Sequence, residues 1–240
     1  ASHLTKAGLG FPQYSNDDVV IPALEQLGYA HEDAANYTVA ACWEFIISFV
    51  GADVANIGAV SYAKAIDVAF HHDLPDCATY EDFFAAVQRR IWEQCDDICA
   101  GLKNLWFVPS PFMHVLMDCD IYTGGKYNNY GIHGTGIATA ADSLAAIRKY
   151  IYEDKSLTKA AYIKAVDEDF AHDPELLHTL RYDSPKLGNN DDSVDAIAVA
   201  LLDTLADALA GRQNDRGGCY RAGTGSAMYY LWHANEIGAS

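Results

Sequence analysis

Apolar side chains that recur every three or four residues are the most prominent pattern along this chain, and they predict helices. The pattern is clearest over residues 80–105, with Phe83, Val87 and Ile91 on one face. Thr79 and Asp82 precede it with the spacing of a helix-capping pair. The same periodicity predicts further helices at 58–70, about 110–118, 138–153, 158–170, 174–182 and 193–210.

Candidate strands are short and flanked by glycine, at residues 37–41, roughly 120–123 and 220–222. Short strands between long helices favour an α/β arrangement over a pure helical bundle. The sequence contains neither an internal repeat nor a flexible linker, so we expect residues 1–240 to form a single unit. The first residues enter a loop with Gly and Pro, and the last six end without a predicted helix or strand. We therefore expect a piece of a longer chain.

Composition limits the class of protein. Half of the 240 residues are apolar and 12% are aromatic, which favours a folded globular protein over a disordered one. Apolar runs are too short to cross a bilayer, and the first residues lack the pattern of a signal peptide. The net charge of −17 argues against binding to nucleic acid, because such a surface repels phosphates.

The cysteines are widely scattered, which argues against a disulfide-rich secreted module and favours reduced thiols in the cytoplasm. They are Cys42, Cys77, Cys95, Cys99, Cys119 and Cys219. Cys95 and Cys99 share a helix face, but no second Cys/His pair with zinc-binding spacing accompanies them. We interpret them as partly buried thiols and predict no metal site.

Cys42 and Glu44 are the first candidates for chemistry, because they interrupt an apolar stretch with a thiol and a carboxylate two residues apart. A dry environment raises the pKa of a carboxyl group towards the range useful for acid–base catalysis. In an extended backbone both side chains would point to the same side. The alternative is a core cysteine beside a surface or ion-paired glutamate, and the three-residue pattern by itself favours that alternative.

A glycine-rich stretch, residues 123–136, precedes the predicted helix at 138–153. Gly134 and Gly136 before a helix have the spacing of a dinucleotide-binding turn, but no Val/Ile-rich strand leads into them. We favour glycines that allow close approach of the backbone to its neighbours. The acidic and amide residues at 189–192 lack the spacing of a calcium loop and are interpreted as helix caps.

The order of these segments resembles the glycyl radical enzymes, the pyruvate formate-lyase and diol dehydratase superfamily. The matching segments are residues 10–24, the Cys42-x-Glu44 pattern, and residues 109–112, 124–128, 140–147, 185–191 and 220–226. They are collinear and extend over nearly the whole chain.

The resemblance implies an α/β fold, as part of a ten-stranded barrel wrapped in helices with the cysteine loop inside. It implies that Cys42 forms a thiyl radical that abstracts hydrogen from a small polar substrate, and that Glu44 handles the proton on the reacting group. It also implies a radical S-adenosylmethionine activating enzyme, a glycyl radical outside this chain, the rest of the same enzyme and a possible homodimer as partners. We expect no bound cofactor or metal in this segment.

Two departures from the family pattern limit the function. The Arg-Val-x-Gly-Tyr motif that carries the radical glycine is absent from these 240 residues. Trp43 stands where pyruvate formate-lyase proper has a second cysteine, which disfavours formate C-acetyltransferase activity and favours the dehydratase, decarboxylase and C–N or C–S lyase branch. Two rival hypotheses stay open: a catalytically silent or structural piece, and a cysteine-nucleophile enzyme that pairs Cys42 with a histidine.

Overall fold

The computed structural model describes residues 2–8, 15–40, 44–105, 110–116, 124–225 and 229–237. The helices are α1 (Ser2–Ala7), α2 (Asp17–Gln26), α3 (His31–Ala34), α4 (Tyr62–His72), α5 (Tyr80–Gly101), α6 (Pro111–Leu116), α7 (Ile137–Ile147), α8 (Lys159–Asp167), α9 (Pro174–His178), α10 (Asp192–Leu209) and α11 (Tyr230–Glu236). The strands are β1 (Tyr37–Ala40), β2 (Glu44–Ile47), β3 (Val54–Ser61), β4 (Tyr130–Thr135) and β5 (Tyr220–Thr224).

Internal contacts divide the chain into two compact units. The first unit comprises residues 1–53 and 109–128, and the second comprises residues 54–108 and 129–240. That the 240 residues form a single unit stays a prediction.

The second unit contains a parallel sheet with the strand order β3-β4-β5. Helices α4, α5, α7 and α10 pack around it, and their buried faces join the sheet in one apolar core. Phe83, Ile91, Leu144 and Leu201 are among the side chains with no exposed surface. Parallel strands covered by helices are the defining arrangement of α/β proteins, so the predicted fold class is confirmed at that level.

Helix α5 follows the prediction closely at its start. Thr79 accepts a hydrogen bond from the Asp82 amide at 3.1 Å, and the Asp82 carboxylate accepts one from the Thr79 amide at 2.9 Å. This reciprocal pair satisfies amides that have no acceptor inside the helix. The helix ends at Gly101, earlier than the predicted residue 105.

The predicted helix at 58–70 is wrong in its first part, because residues 58–61 belong to strand β3 and the helix begins at Tyr62. A strand buried by helices carries a continuous apolar run, which periodicity does not distinguish from a helix. The predicted helices at 110–118, 158–170 and 193–210 lie within three residues of α6, α8 and α10, and those at 138–153 and 174–182 match α7 and α9 together with the π-helical segment after each. The helical path continues as π-helix after α7, over Arg148–Glu153, and after α9, over Thr179–Asp183.

Residues 130–135 of the glycine-rich stretch form the central strand β4, which the sequence did not predict; Ile132 is its one Val or Ile residue. Its Gly131 lies against the main chain of Ala55, and its Gly134 lies against the ring of Tyr62. A side chain at either position would overlap those atoms, so the glycines serve close packing. The predicted strand at 220–222 is confirmed within β5, whereas the one at 120–123 lies outside the described residues.

Helix α11 corrects the expectation that the last residues contain no helix, since it extends to Glu236. Thr135 at the end of β4 and the Nδ1 atom of His233 share a hydrogen bond of 2.6 Å, and the Lys64 ammonium donates to the Glu236 carbonyl. These bonds attach the helix to the second unit.

The first unit contains an antiparallel hairpin of β1 and β2 in which Tyr37 faces Ile47 and Ala40 faces Glu44. Ile47 packs with Leu24 of α2 and Ala34 of α3 in a small core. The described residues thus form a two-stranded and a three-stranded sheet, and they do not close a barrel. In the same residues, none of the helices is long and apolar enough to cross a membrane.

Candidate active site

The hairpin of the first unit determines where Glu44 lies. Residues directly opposite each other on paired strands share a face, and successive residues alternate between faces. Tyr37 and Ile47 form the pair that faces the small core, so Ala40 and Glu44, three residues along, project from the opposite face. Glu44 is half-buried at the end of the hairpin, on the side away from that core.

Cys42 lies outside the described residues, as do its neighbours Ala41 and Trp43. The structure therefore describes one of the two predicted catalytic residues, Glu44, together with the strand that holds it. The predicted strand at 37–41 is confirmed as β1 over Tyr37–Ala40, and residue 41 lies outside the described residues. Strand β2, which begins with Glu44, was not predicted, because its four residues are too few to show an alternating pattern.

The glycine-rich segment supports the other end of β2. The Lys126 amide donates to the Val50 carbonyl at 2.9 Å, and the Ala52 amide donates to the Tyr127 carbonyl at 2.8 Å. A Cβ atom on Gly125 would lie 2.5 Å from the Val50 oxygen and 2.9 Å from the Ala52 nitrogen. Glycine at this position therefore lets two backbone segments approach, which confirms the interpretation from the sequence for this part of the stretch.

Lys126 and Tyr127 of the same segment bind Asp33 of helix α3. We call these three residues the Asp33 clamp. The Lys126 ammonium lies 2.5 Å from the Asp33 carboxylate, and the Tyr127 hydroxyl donates to the same oxygen at 2.6 Å. The Tyr127 oxygen also accepts a hydrogen bond from the Ala30 amide at 2.9 Å. The clamp thus joins α3 to the segment that supports β2.

The electrostatics of the clamp follow from these bonds. Hydrogen bonds from Lys126 and Tyr127 lower the pKa of Asp33 below its ordinary value of 3.8. The same carboxylate raises the pKa of Lys126. Burial, followed by the Asp33 bond, raises the pKa of the Tyr127 hydroxyl. Asp33 is therefore held as a carboxylate, and both donors keep their protons.

A second tyrosine extends this arrangement. The ring of Tyr29 lies 4.6 Å from that of Tyr127, and its hydroxyl donates to Asp53 at 2.7 Å. Sequence reasoning missed the role of Asp33 and Tyr29, because they lie about a hundred residues from the segment they bind. The signal that was available was the Lys126-Tyr127 pair directly after two glycines.

The remaining candidates from the sequence have structural roles in this chain. Asp191 caps α10 by accepting bonds from the amide and hydroxyl of Ser193, which confirms the capping interpretation of that acidic stretch. Gly136 adopts a left-handed conformation with φ of 76° directly before α7. Cys95 and Cys99 are buried, and burial raises the pKa of the Cys95 thiol to about 12.

The dispersed histidines do not assemble into a nucleophile–base pair with a described cysteine. His71 bonds the Asp67 carbonyl and the Asp167 carboxylate, and buried His133 bonds the Ala55 carbonyl. Each of these contacts stabilises the second unit. The pairing of Cys42 with a histidine involves a residue outside the described ones and stays a prediction.

Comparison with known proteins defines the class and then the family. The chain is 24% identical to the glycerol-bound, B12-independent glycerol dehydratase of Clostridium butyricum, with a TM-score of 0.83 over 98% of this chain and 33% of that chain. The fold is therefore that of the corresponding part of a glycyl radical enzyme, a class of α/β barrel. The pyruvate formate lyase-like family model matches residues 1–232, so the chain belongs to that family, within the glycyl radical enzyme superfamily.

Curated relatives are dehydratases and lyases. The chain is 25% identical to trans-4-hydroxy-L-proline dehydratase of Clostridioides difficile, over all of this chain and 34% of the relative. It is also 25% identical to isethionate sulfite-lyase of Nitratidesulfovibrio vulgaris, over 80% of this chain and 27% of that relative. The chain thus spans about a third of the length of these relatives.

Proposed function

We propose that this chain forms the cysteine-bearing part of a glycyl radical dehydratase or lyase, with Cys42 as the thiyl-forming residue and Glu44 as its acid–base partner. The observation that carries the proposal is the hairpin of β1 and β2. It holds Glu44 opposite Ala40, at the end of the hairpin where the chain segment containing Cys42 joins the two strands. The family match and the dehydratases and lyases among the relatives support the same class of reaction.

The proposed reaction begins and ends on the Cys42 sulfur. A glycyl radical takes the thiol hydrogen, and the resulting thiyl takes a hydrogen atom from a carbon of the substrate. Glu44 accepts the proton from a polar group on the radical carbon while the adjacent group leaves with its bonding electrons. The product radical then takes the hydrogen back from the Cys42 thiol, which restores the thiyl and balances the cycle.

The substrate class is a small polar molecule from which a C–O, C–N, C–S or C–C bond is cleaved. The relatives include a dehydratase and a sulfite-lyase, which is the range that the Cys42-x-Glu44 pattern favours. Trp43 in place of a second cysteine disfavours the two-cysteine route of acetyl transfer to formate.

The partners follow from the chemistry. The Arg-Val-x-Gly-Tyr motif is absent from the 240 residues, so we propose that the glycyl radical belongs to further polypeptide of the same enzyme. A radical S-adenosylmethionine activating enzyme would install it, and the assembled enzyme would act as a homodimer.

The cellular compartment that we propose is the cytoplasm. Its reducing environment agrees with the free thiols among the described residues, which are Cys77, Cys95, Cys99 and Cys219.

The first test replaces Cys42 by Ser in the complete, activated enzyme. We expect the glycyl radical signal in electron paramagnetic resonance to persist while turnover falls to background, because the thiyl cannot form. Cys219→Ser is the matched control, since Cys219 is a free thiol of the second unit with no role in the proposed reaction. Turnover by the Cys42 variant at the control's rate would contradict the assignment.

The second test replaces Glu44 by Gln, which keeps the shape and removes the proton acceptor. Loss of general acid–base catalysis is expected to lower kcat by about 10²–10⁴-fold while the glycyl radical still forms. The control is Glu32→Gln, on α3 of the same unit, whose side chain is 82% exposed. Equal kcat values for the two variants would remove Glu44 from the mechanism.

A third measurement concerns the hypothesis of a catalytically silent piece. We expect the 240-residue chain with the activating enzyme to show neither a glycyl radical nor turnover, because the radical glycine motif is absent from it. Turnover should require polypeptide that carries that motif. Activity of the 240-residue chain by itself would contradict the assignment of the radical to a separate segment.

A further inference from the structure

The second unit contains a cavity of about 450 Å³ between the start of α5 and the π-helical segment after α7. Small-molecule sites in proteins have this range of volumes and combine apolar walls with a few charged groups. Tyr80, Ile151 and Tyr152 supply the apolar and aromatic wall. The lining residues all belong to the second unit, whereas Glu44 belongs to the first.

The walls of the cavity are fixed by bonds that do not involve a ligand. The Tyr152 hydroxyl donates to the Cys77 carbonyl at 3.2 Å, and the Lys159 ammonium donates to the same oxygen and to the Pro75 carbonyl. The rings of Tyr80 and Tyr152 meet at a centroid distance of 6.2 Å. A site whose walls are already ordered loses little conformational entropy when it binds.

The charges that line the cavity do not cancel. Arg148 lies over the Tyr80 ring and pairs with Glu153 at 3.3 Å, so its charge is compensated. Lys155 and Lys159 also line the cavity, and within the described part of the chain neither forms an ion pair. Glu81 is the other lining carboxylate, so three cations and two carboxylates line the cavity, and the nearby Asp82 carboxylate interacts electrostatically with Lys159.

This excess contrasts with the net charge of the chain, which is −17. A protein this acidic repels anions at most of its surface, and a local positive site concentrates them. Among the described residues, Lys155 pairs with no carboxylate, so it supplies a positive charge beside the aromatic wall, which matches a ligand with one negative charge and an apolar body.

We propose that this cavity binds a small organic monoanion, a carboxylate with a planar or apolar body. Lys155 and Lys159 hold the carboxylate, and the body packs against Tyr80, Ile151 and Tyr152. Lys155 lies on the short segment that joins the π-helical turn to α8, and Lys159 is the first residue of α8, so the two ammonium groups come from nearby positions in the chain.

The proposal is tested with benzoate as the probe and the ¹⁵N-labelled 240-residue chain, by an NMR titration at constant ionic strength. We expect saturable shifts confined to the amides around residues 79–81 and 148–159. Benzamide, the neutral analogue, should bind at least about tenfold more weakly because it lacks the charge. Inorganic phosphate, which lacks the apolar body, should also bind more weakly than benzoate.

Lys155→Gln is the informative variant, because Lys155 is exposed and makes no described bond that the fold requires. It should weaken benzoate binding about two- to fivefold, the range for one exposed charge pair. Lys164→Gln on α8 is the matched control, since its 71% exposed side chain pairs with Glu168 outside the cavity. Two results on affinity would overturn the proposal: benzamide binding as tightly as benzoate, or phosphate binding as tightly as benzoate. Chemical shift changes at other amides, or unchanged benzoate affinity in Lys155→Gln, would overturn it too.

Discussion

The two units are stabilised in different ways. In the second, four helices bury their apolar faces against a parallel sheet. In the first, the buried apolar core among the described residues consists of Leu24, Ala34 and Ile47, and the Asp33 clamp and main-chain bonds to the glycine-rich segment supplement it. The candidate catalytic residue Glu44 lies in the unit that depends more on polar contacts.

This difference indicates how each unit responds to change. A large apolar core loses stability in proportion to the side-chain volume removed from it. A unit with few buried apolar contacts depends on single hydrogen bonds and close backbone approaches, and such regions open locally more readily. We therefore expect that stability is lowered most by side-chain truncation in the second unit. In the first unit, it should be lowered most by changes to the backbone or to single hydrogen bonds.

The largest effect is expected for Phe83→Ala, in the core of the second unit. Phe83 is fully buried, so its removal leaves a cavity and should lower the free energy of unfolding by about 3–5 kcal/mol. Urea denaturation monitored by circular dichroism measures this change. Phe112→Ala on α6 is the control, because that side chain is 85% exposed and its loss should change stability by less than about 0.5 kcal/mol.

A smaller effect is expected for Gly125→Ala in the first unit. The new methyl group would overlap the Val50 carbonyl and the Ala52 amide, and overpacking of this kind costs about 1–3 kcal/mol. Gly101→Ala at the end of α5 meets no atom within 4 Å, so it should be neutral or stabilising by up to about 1 kcal/mol. If both substitutions gave the same unfolding midpoint, the close backbone approach would not contribute to stability.

Tyr127→Phe tests the hydrogen bonds of the clamp. The variant keeps the ring beside Tyr29 but loses the bonds to Asp33 and from the Ala30 amide, so it should destabilise the first unit by about 1 kcal/mol. Hydrogen exchange of the β1 and β2 amides measures the local effect. Tyr182→Phe, at a ring that is 71% exposed, should leave exchange unchanged, and equal exchange in both variants would show that the hydroxyl is dispensable.

The smallest effect concerns pH. The pKa of Asp33 is lower in the folded chain than its ordinary value of 3.8, so its contribution to stability is fully present above pH 3.8 and is lost as the pH falls through the lower pKa of the folded state. We expect the protection of first-unit amides, measured as the exchange rate relative to the intrinsic rate at the same pH, to fall only below pH 3.8. Asp33→Asn should remove that acid-dependent change, and its persistence in the variant would assign it to another group.

The sequence predicted the helices of the second unit well, because the signals for a helix lie in residues that are close together in the chain. The capping pair of Thr79 and Asp82 and the recurring apolar positions of α5 are contacts between residues three or four apart. The same reasoning failed at residues 58–61, where burial on both faces of β3 removes the alternation that identifies a strand.

In the first unit, sequence reasoning identified the residues that could carry chemistry but not the structure that holds them. Cys42 and Glu44 stand out because a thiol and a carboxylate interrupt an apolar stretch. That Glu44 begins a strand paired with β1 depends on a hairpin too short to show a pattern. The position of Cys42 relative to Glu44 stays a prediction, because Cys42 lies outside the described residues.

The sequence by itself determined the helical segments, the α/β class, the family resemblance and the two candidate catalytic residues, since each depends on neighbouring residues or on their order. Only the tertiary structure decided that residues 130–135 form the central strand. It also decided that Gly125 lies against the main chain after β2, and that Asp33 binds Lys126 from 93 residues away. Such contacts join residues far apart in the chain. Their energies depend on the packing of the whole unit and leave no periodic trace in the sequence.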